Sequence, residues 1–118
     1  MILVRLLAFL RRHWPQTHIL VRGDSHFATP EVIDVIAHRR LTDFVFGLAG
    51  NAVLLRQAAP VMQDARGLHQ QRTALAQAHG ERPPVSSRVY EEFSYAAASW
   101  SQPWRVIVKA EVMAAGDN

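Results

Sequence analysis

No cysteine occurs anywhere in the 118 residues. A disulfide framework, a thiolate metal site and a cysteine nucleophile are therefore all excluded. Lysine is nearly absent too: twelve of the thirteen basic residues are arginine, and Lys109 stands alone. The pI of about 10.2 thus reflects the high pKa of arginine more than a large surplus of charge. Ten acids bring the net charge to only +3. No apolar run reaches the length of about eighteen residues that a spanning helix needs. A glycine-rich phosphate loop, a Gly-x-Ser-x-Gly elbow, an internal repeat and a low-complexity segment are missing as well.

What remains fits one globular domain. A hydrophobic fraction of 49% with 19% charged residues can bury a core and excludes a disordered tail. The charge is uneven along the chain. Up to Ala59 there are seven arginines and four acids, net +3, whereas the second half has six residues of each sign. An anionic partner such as a nucleic-acid phosphate is expected at the N-terminal half, if anywhere. A solvated arginine-rich surface would look the same by charge alone.

Residues Ile2 to Trp14 read as an amphipathic helix, with Leu3, Leu6, Leu7, Leu10 and Trp14 on one side and Arg5 and Arg12 on the other. A signal peptide is the rival reading. Arg5 breaks the apolar run, Arg11-Arg12 closes it and no small-residue cleavage site follows, so export is not expected. Pro15 ends the helix. His18 to Arg22 reads as a short strand buried on both faces, as in a parallel sheet. After Gly23-Asp24-Ser25, Thr29 offers an N-cap, Pro30 the first helical position and Glu31 an acid in the first turn. That helix runs through Arg40 on a stripe of Val32, Val35, Ile36 and Leu41, and Asp43 to Leu48 forms the next strand. The order helix, strand, helix, strand implies an α/β layer with a right-handed crossover.

Past Gly50 the pattern changes. Asn51 caps a helical stretch to Ala59, and Pro60 starts a second that runs towards Ala78. His79 to Pro84 breaks it. Val85 to Trp100 is rich in β-branched and aromatic residues, and Ser101-Gln102-Pro103 turns the chain into Trp104–Val112. Val106, Val108 and Ala110 alternate there, giving a hairpin. Gly116-Asp117-Asn118 reads as a turn.

Asp24 is the leading candidate for chemistry. It ends a buried strand and precedes a loop and a capped helix, and ligands of α/β sheets bind outside the carboxyl ends of strands. Arg22, Ser25 and His26 surround it. Taken by itself, an aspartate at such a place is more often a turn or capping residue. Arg22-Gly23-Asp24 also spells a cell-adhesion motif, an accidental match in a chain without export signal or disulfides.

The runs ILVRGDSHFATPEVIDVIAHRRLTDFVFGLAGN, RVYEEFSYAAASW and WRVIVKAE resemble the DDE transposases of bacterial insertion sequences, closest to the DDE group 1 type. The resemblance covers nearly the whole chain. It implies a partial ribonuclease H-like core over residues 1–50, followed within the same domain by an insertion over residues 51–118, helical and then a β-hairpin. It implies that Asp24 is the second of three carboxylates that hold two magnesium ions for phosphodiester cleavage and strand transfer. The partner implied is double-stranded DNA at insertion-sequence ends, in the cytoplasm and away from membranes. The family's first aspartate lies upstream of Met1 and its glutamate downstream of Asn118. Glu111 falls in the inserted hairpin and does not take over that role. Two of the three carboxylates are thus missing, and the chain is expected to be an internal fragment, inactive alone. The alternative is a non-catalytic remnant that only binds DNA or protein.

Other candidates carry less. Arg22, His26, Arg39 and Arg40 are the residues assigned to DNA, with Arg11 and Arg12 as further cations able to track a backbone. His13 and His18 lack a third ligand for zinc. Ser25 lacks a triad. Tyr90, Phe93, Tyr95, Trp100 and Trp104 are expected in the sheet face, with base stacking as the sharper alternative. A membrane-surface role for the first helix is a third reading. Loss of a central neighbour strand would leave the Ile19–Val21 strand with an open edge, so self-association is expected.

Overall fold

A computed structural model describes residues 1–114 and 116–118. It is a mixed α/β structure with three α-helices and two sheets among the described residues. In chain order these are α1 (Ile2–His13), β1 (Ile19–Gly23), α2 (Pro30–Ala37), β2 (Thr42–Phe46), α3 (Ala52–Ala78), β3 (Ser86–Tyr95), β4 (Trp104–Met113) and β5 (Gly116–Asp117), with a short 3₁₀ turn at Ser25–Phe27. Two compact units result. The first is Met1–Ala49 with Ala97–Gln102, and the second is Gly50–Ala96 with Pro103–Asn118. No described helix is long and apolar enough to cross a membrane.

In the first unit β1 and β2 pair in parallel, Ile19 opposite Thr42 through Gly23 opposite Phe46. Thr29 Oγ1 accepts from the Val32 amide and Pro30 opens α2, as the capping pattern anticipates. α2 stops at Ala37, three residues before the expected end. The His38 ring meets the Asp34 carbonyl at 2.7 Å, and Leu41 stands at φ 53°, a left-handed conformation no helix tolerates. Its buried residues are Ile33 and Ile36, so the predicted stripe is rotated towards Ile33. Complete burial of Ile36 contributes about 1.5–3 kcal/mol. In α1 only Leu7 is buried; Leu6 and Trp14, assigned to the same stripe, are exposed.

The expectation of a strand covered on both faces is corrected. Paired residues of a parallel ladder share a face, so Ile19, Val21, Thr42 and Phe44 lie on one side. Leu20, Arg22, Asp43 and Val45 lie on the other, where Leu20 is 51% and Val45 57% exposed. Nothing among the described residues shields that face.

The expected second helix start at Pro60 is corrected: in the second unit α3 is one continuous helix with Pro60 inside it. Asn51 caps its first turn through the Leu54 amide at 3.0 Å. Just beyond the proline, Val61 and Ala65 of α3 form the core with Ala110 and Val112 of β4. β3 and β4 form the expected antiparallel hairpin, with Val89 opposite Ala110 and Phe93 opposite Val106. Val106, Val108 and Ala110 alternate inward as the sequence suggests. The C-terminal residues, read as a turn, add a short strand, with Gly116 and Asp117 paired to Met113 and Val112.

Candidate functional site

The loop after β1 is built by two glycines and a phenylalanine. A Cβ on Gly23 would stand 2.7 Å from Phe27 Cδ2 and 2.9 Å from its Cγ. The ring can fold back over the strand end only because residue 23 has no side chain. Phe27 then stacks on Phe46 at 6.1 Å, and Phe46 on Phe44 at 5.1 Å. At the end of β2 the Gly47 amide donates to the Gly23 carbonyl at 3.1 Å, which carries the ladder one step further. The Cα of Gly47 backs directly onto the Asp24–Ser25 peptide, where a Cβ would meet the Ser25 nitrogen at 3.4 Å. Phe27, Phe46 and Gly47 all fall in the run that carries the family resemblance, within RGDSHF and FGLAGN; their part in shaping the loop is not readable from local spacing.

This frame presents Asp24 at the carboxyl end of a parallel strand. Its Oδ1 accepts from the His26 amide at 3.0 Å and lies 3.2 Å from His26 Nδ1. The side chain stays 70% exposed and that of His26 90% exposed. Among the described residues Oδ2 has no partner. Asp24 is thus both a turn cap and an outward-facing carboxylate, and the two roles use different oxygens. Ser25 lies in the same turn, without a base positioned beside it.

The remaining cations do not converge on Asp24. Arg22 lies on the open sheet face with Leu20 and Val45. Arg39 and Arg40 precede Thr42, at the opposite end of the sheet. The four residue steps from Thr42 to Phe46 separate the two ends by about 13 Å at 3.3 Å per residue. Arg40 Nη2 donates to the Pro15 carbonyl at 2.6 Å. Arg11 works harder still. Its Nη1 donates to the carbonyls of Trp14 and Thr17 at 3.1 and 2.6 Å, and its Nη2 to those of Arg40 and Leu41 at 2.8 and 3.1 Å. It also reaches Thr42 Oγ1 at 3.2 Å. One guanidinium therefore ties the end of α1 to the link between α2 and β2. Its partners lie up to 31 residues away, so no local pattern announces them.

Glu111 occupies a different setting. It is buried on β4, and its carboxylate takes Arg88 Nε at 3.0 Å and Lys109 Nζ at 3.1 Å. The Arg88 hydrogen bond, and then that of Lys109, hold its pKa below the ordinary value. The same contact raises Arg88. Glu111 is consumed by the hairpin, in keeping with leaving it out of the site.

No group of three or more His, Asp or Glu among the described residues could hold a metal ion. Asp24 with His26 supplies at most two donors of unlike hardness, where a pair of magnesium ions needs several shared carboxylates. The residues present do not fit a complete metal centre.

No curated protein and no solved structure matches the chain. The family model described as transposase DDE domain group 1 matches residues 1–118, the full length. That match spans the Asp24 loop, the capped α2 and the hairpin alike, and the chain belongs to the transposase DDE domain group 1 family.

Proposed function

We propose that this chain is an internal part of a DNA transposase catalytic domain with a ribonuclease H-like core, and that Asp24 is one of the carboxylates of its active centre. The single observation that carries the reading is the Asp24 loop. A carboxylate leaves the end of a parallel strand with one oxygen fixed by a backbone amide and the other turned outward. Family membership makes the function transposase-related. DDE transposases work with a divalent metal; magnesium, held by carboxylate oxygens, is the metal proposed here, once the other carboxylates are present. The partner proposed is double-stranded DNA at insertion-sequence ends, with His26 beside Asp24, Arg22 on the open sheet face and Arg39 and Arg40 at the opposite end of the sheet as contacts. The open β1–β2 face, with Leu20 and Val45 exposed, favours self-association of the isolated chain.

Because one carboxylate does not assemble the metal pair, the isolated chain is proposed not to cut DNA. Two measurements test this. Supercoiled plasmid incubated with the chain and magnesium should remain uncut; nicking abolished by Asp24→Ala would refute the fragment reading. Substoichiometric manganese should broaden the amide resonances of Asp24, Ser25 and His26, and Asp24→Asn should remove the effect. Broadening elsewhere, or none, would remove Asp24 from the metal.

A further inference from the structure

At the end of the sheet opposite Asp24, α1 and the α2–β2 link enclose a cleft of about 130 Å³ lined by Leu7, Arg11, Arg39, Arg40 and Thr42. Three of its five lining residues are arginines. Among the described residues no carboxylate pairs with any of the three. Three of the four acids of the same unit are engaged elsewhere: Asp43 with His18 at 2.7 Å, Asp24 with His26, and Asp34 Oδ1 with Ser101 Oγ at 3.0 Å; the fourth, Glu31, lies in the first turn of α2, at the end away from the link. Among the described residues the positive charge of the cleft is met by peptide carbonyls and the Thr42 hydroxyl, all of them uncharged.

Those carbonyls do not use up the donors. The terminal nitrogens of Arg11 are committed to Trp14, Thr17, Arg40 and Leu41. Arg40 spends one N–H on Pro15. Arg39 spends none, although its residue is half-buried. A guanidinium carries five N–H donors in a rigid fork. Among the described residues the fork of Arg39 and most of that of Arg40 are therefore unspent, in a cleft that a third cation also lines. Like charges held this close repel unless an anion stands between them. The arrangement is also preorganised. Arg11 pins the backbone on which Arg39 and Arg40 are carried, and Leu41, in its left-handed conformation, fixes the turn between them and Thr42.

We infer that this cleft binds a single tetrahedral phosphoryl oxyanion, with Arg39 as its principal ligand and Arg40 as the second. A phosphate oxygen pair matches the fork of a guanidinium bidentately, and the volume admits one such group. Free inorganic phosphate and a phosphodiester of a nucleic-acid backbone share this chemistry. The site is separate from the Asp24 loop and does not depend on the catalytic reading; a chain that never cuts DNA would still bind here.

The test is titration of the full chain with inorganic phosphate, against chloride at matched ionic strength, and separately with a short DNA duplex. Amide resonances of residues 39–42 report binding. Phosphate should shift them saturably, and Arg39→Gln should weaken binding about tenfold or more, as expected for loss of charge-assisted hydrogen bonds. Arg39→Gln keeps the fold, since that side chain makes no internal hydrogen bond; a preserved amide spectrum verifies it. Arg82→Gln, on the loop after α3 and outside the cleft, should leave binding unchanged. Shifts with both ligands support a site open to either source, shifts with phosphate alone a small-anion site, and shifts with duplex alone a backbone contact. No saturable shift with either, or equal binding by Arg39→Gln, overturns the inference. Manganese broadening at Asp24 is read independently, so failure of one proposal does not obscure the other.

Discussion

The Phe27 ring lies over the α-carbon of Gly23, with Cδ2 only 2.7 Å from where a Cβ would stand. Gly23→Ala must push that ring off Phe46, so the loop that shows Asp24 to solvent loses its anchor. The expected cost is about 1–3 kcal/mol, the usual range for an overpacked contact. In a Phe27→Ala background the same change should cost much less, because the atoms it strikes are gone. A double-mutant cycle by urea denaturation measures the difference. Equal costs in both backgrounds would mean that the glycine serves some other purpose.

Arg11 is the second structural dependency. Arg11→Ala should destabilise the first unit by about 2 kcal/mol, since carbonyls after α1 and in the α2–β2 link lose their donor. Arg11→Lys should recover little. A lysine ammonium is one point on a flexible stem and does not span the two sets of carbonyls that a planar fork reaches at once. Arg12→Ala, one residue on and exposed, should stay within about 0.5 kcal/mol of the parent. Chemical denaturation of the three variants decides it.

The two arginines also show what sequence reasoning can and cannot see. The capping of α2 by Thr29, the hairpin and the place of Asp24 at a strand end were all legible, because each rests on local spacing or local turn chemistry. Arg11 and Arg40 read as cations for DNA, because the carbonyls they meet are distant along the chain. Pro60 read as a helix start for a related reason. Its local preference is real, but contacts of Val61 and Ala65 with β4 override it. Arg39 and Arg40 are grouped by sequence with Arg22 and His26 as cations for DNA; the register of β1 on β2 places them at the end of the sheet away from Asp24.

Acid should loosen the second unit through Glu111. Its pKa is depressed when folded, chiefly by the Arg88 hydrogen bond and then by that of Lys109. The stabilisation is therefore fully present above the ordinary value of 4.5 and is lost as the pH falls through the lower folded value. Glu111→Gln should remove this part of the acid dependence and lower stability at neutral pH, where Arg88 and Lys109 would face an uncharged amide. Denaturation curves collected from pH 7 downward should converge for the two proteins in acid; parallel curves would assign the acid sensitivity elsewhere.

Ser87 is 1% exposed and joins β3 to α3. Its Oγ accepts from Arg72 Nη1 at 2.7 Å and lies 2.9 Å from His69 Nδ1. Burial and the lack of a third group make this pair a bolt, not a nucleophile and base. Ser87→Ala should cost about 0.5–1.5 kcal/mol through loss of the hydrogen bonds to His69 and Arg72. Treatment with a serine-directed acylating reagent should leave Ser87 unlabelled in the folded chain, and labelling there would contradict its structural role.

Pro60 sits nine residues into α3 and has no N–H to offer the Arg56 carbonyl four residues back. A proline inside a helix costs about 3 kcal/mol relative to alanine, and in this chain that cost is offset by the packing of Val61 and Ala65 on β4. Pro60→Ala restores the missing bond and removes the ring from the preceding turn without touching the core. The variant should be more stable, by about 1–3 kcal/mol, with greater ellipticity at 222 nm. Loss of stability would mean that residues 52–59 and 61–78 are two helices joined at the proline, each end needing its own cap.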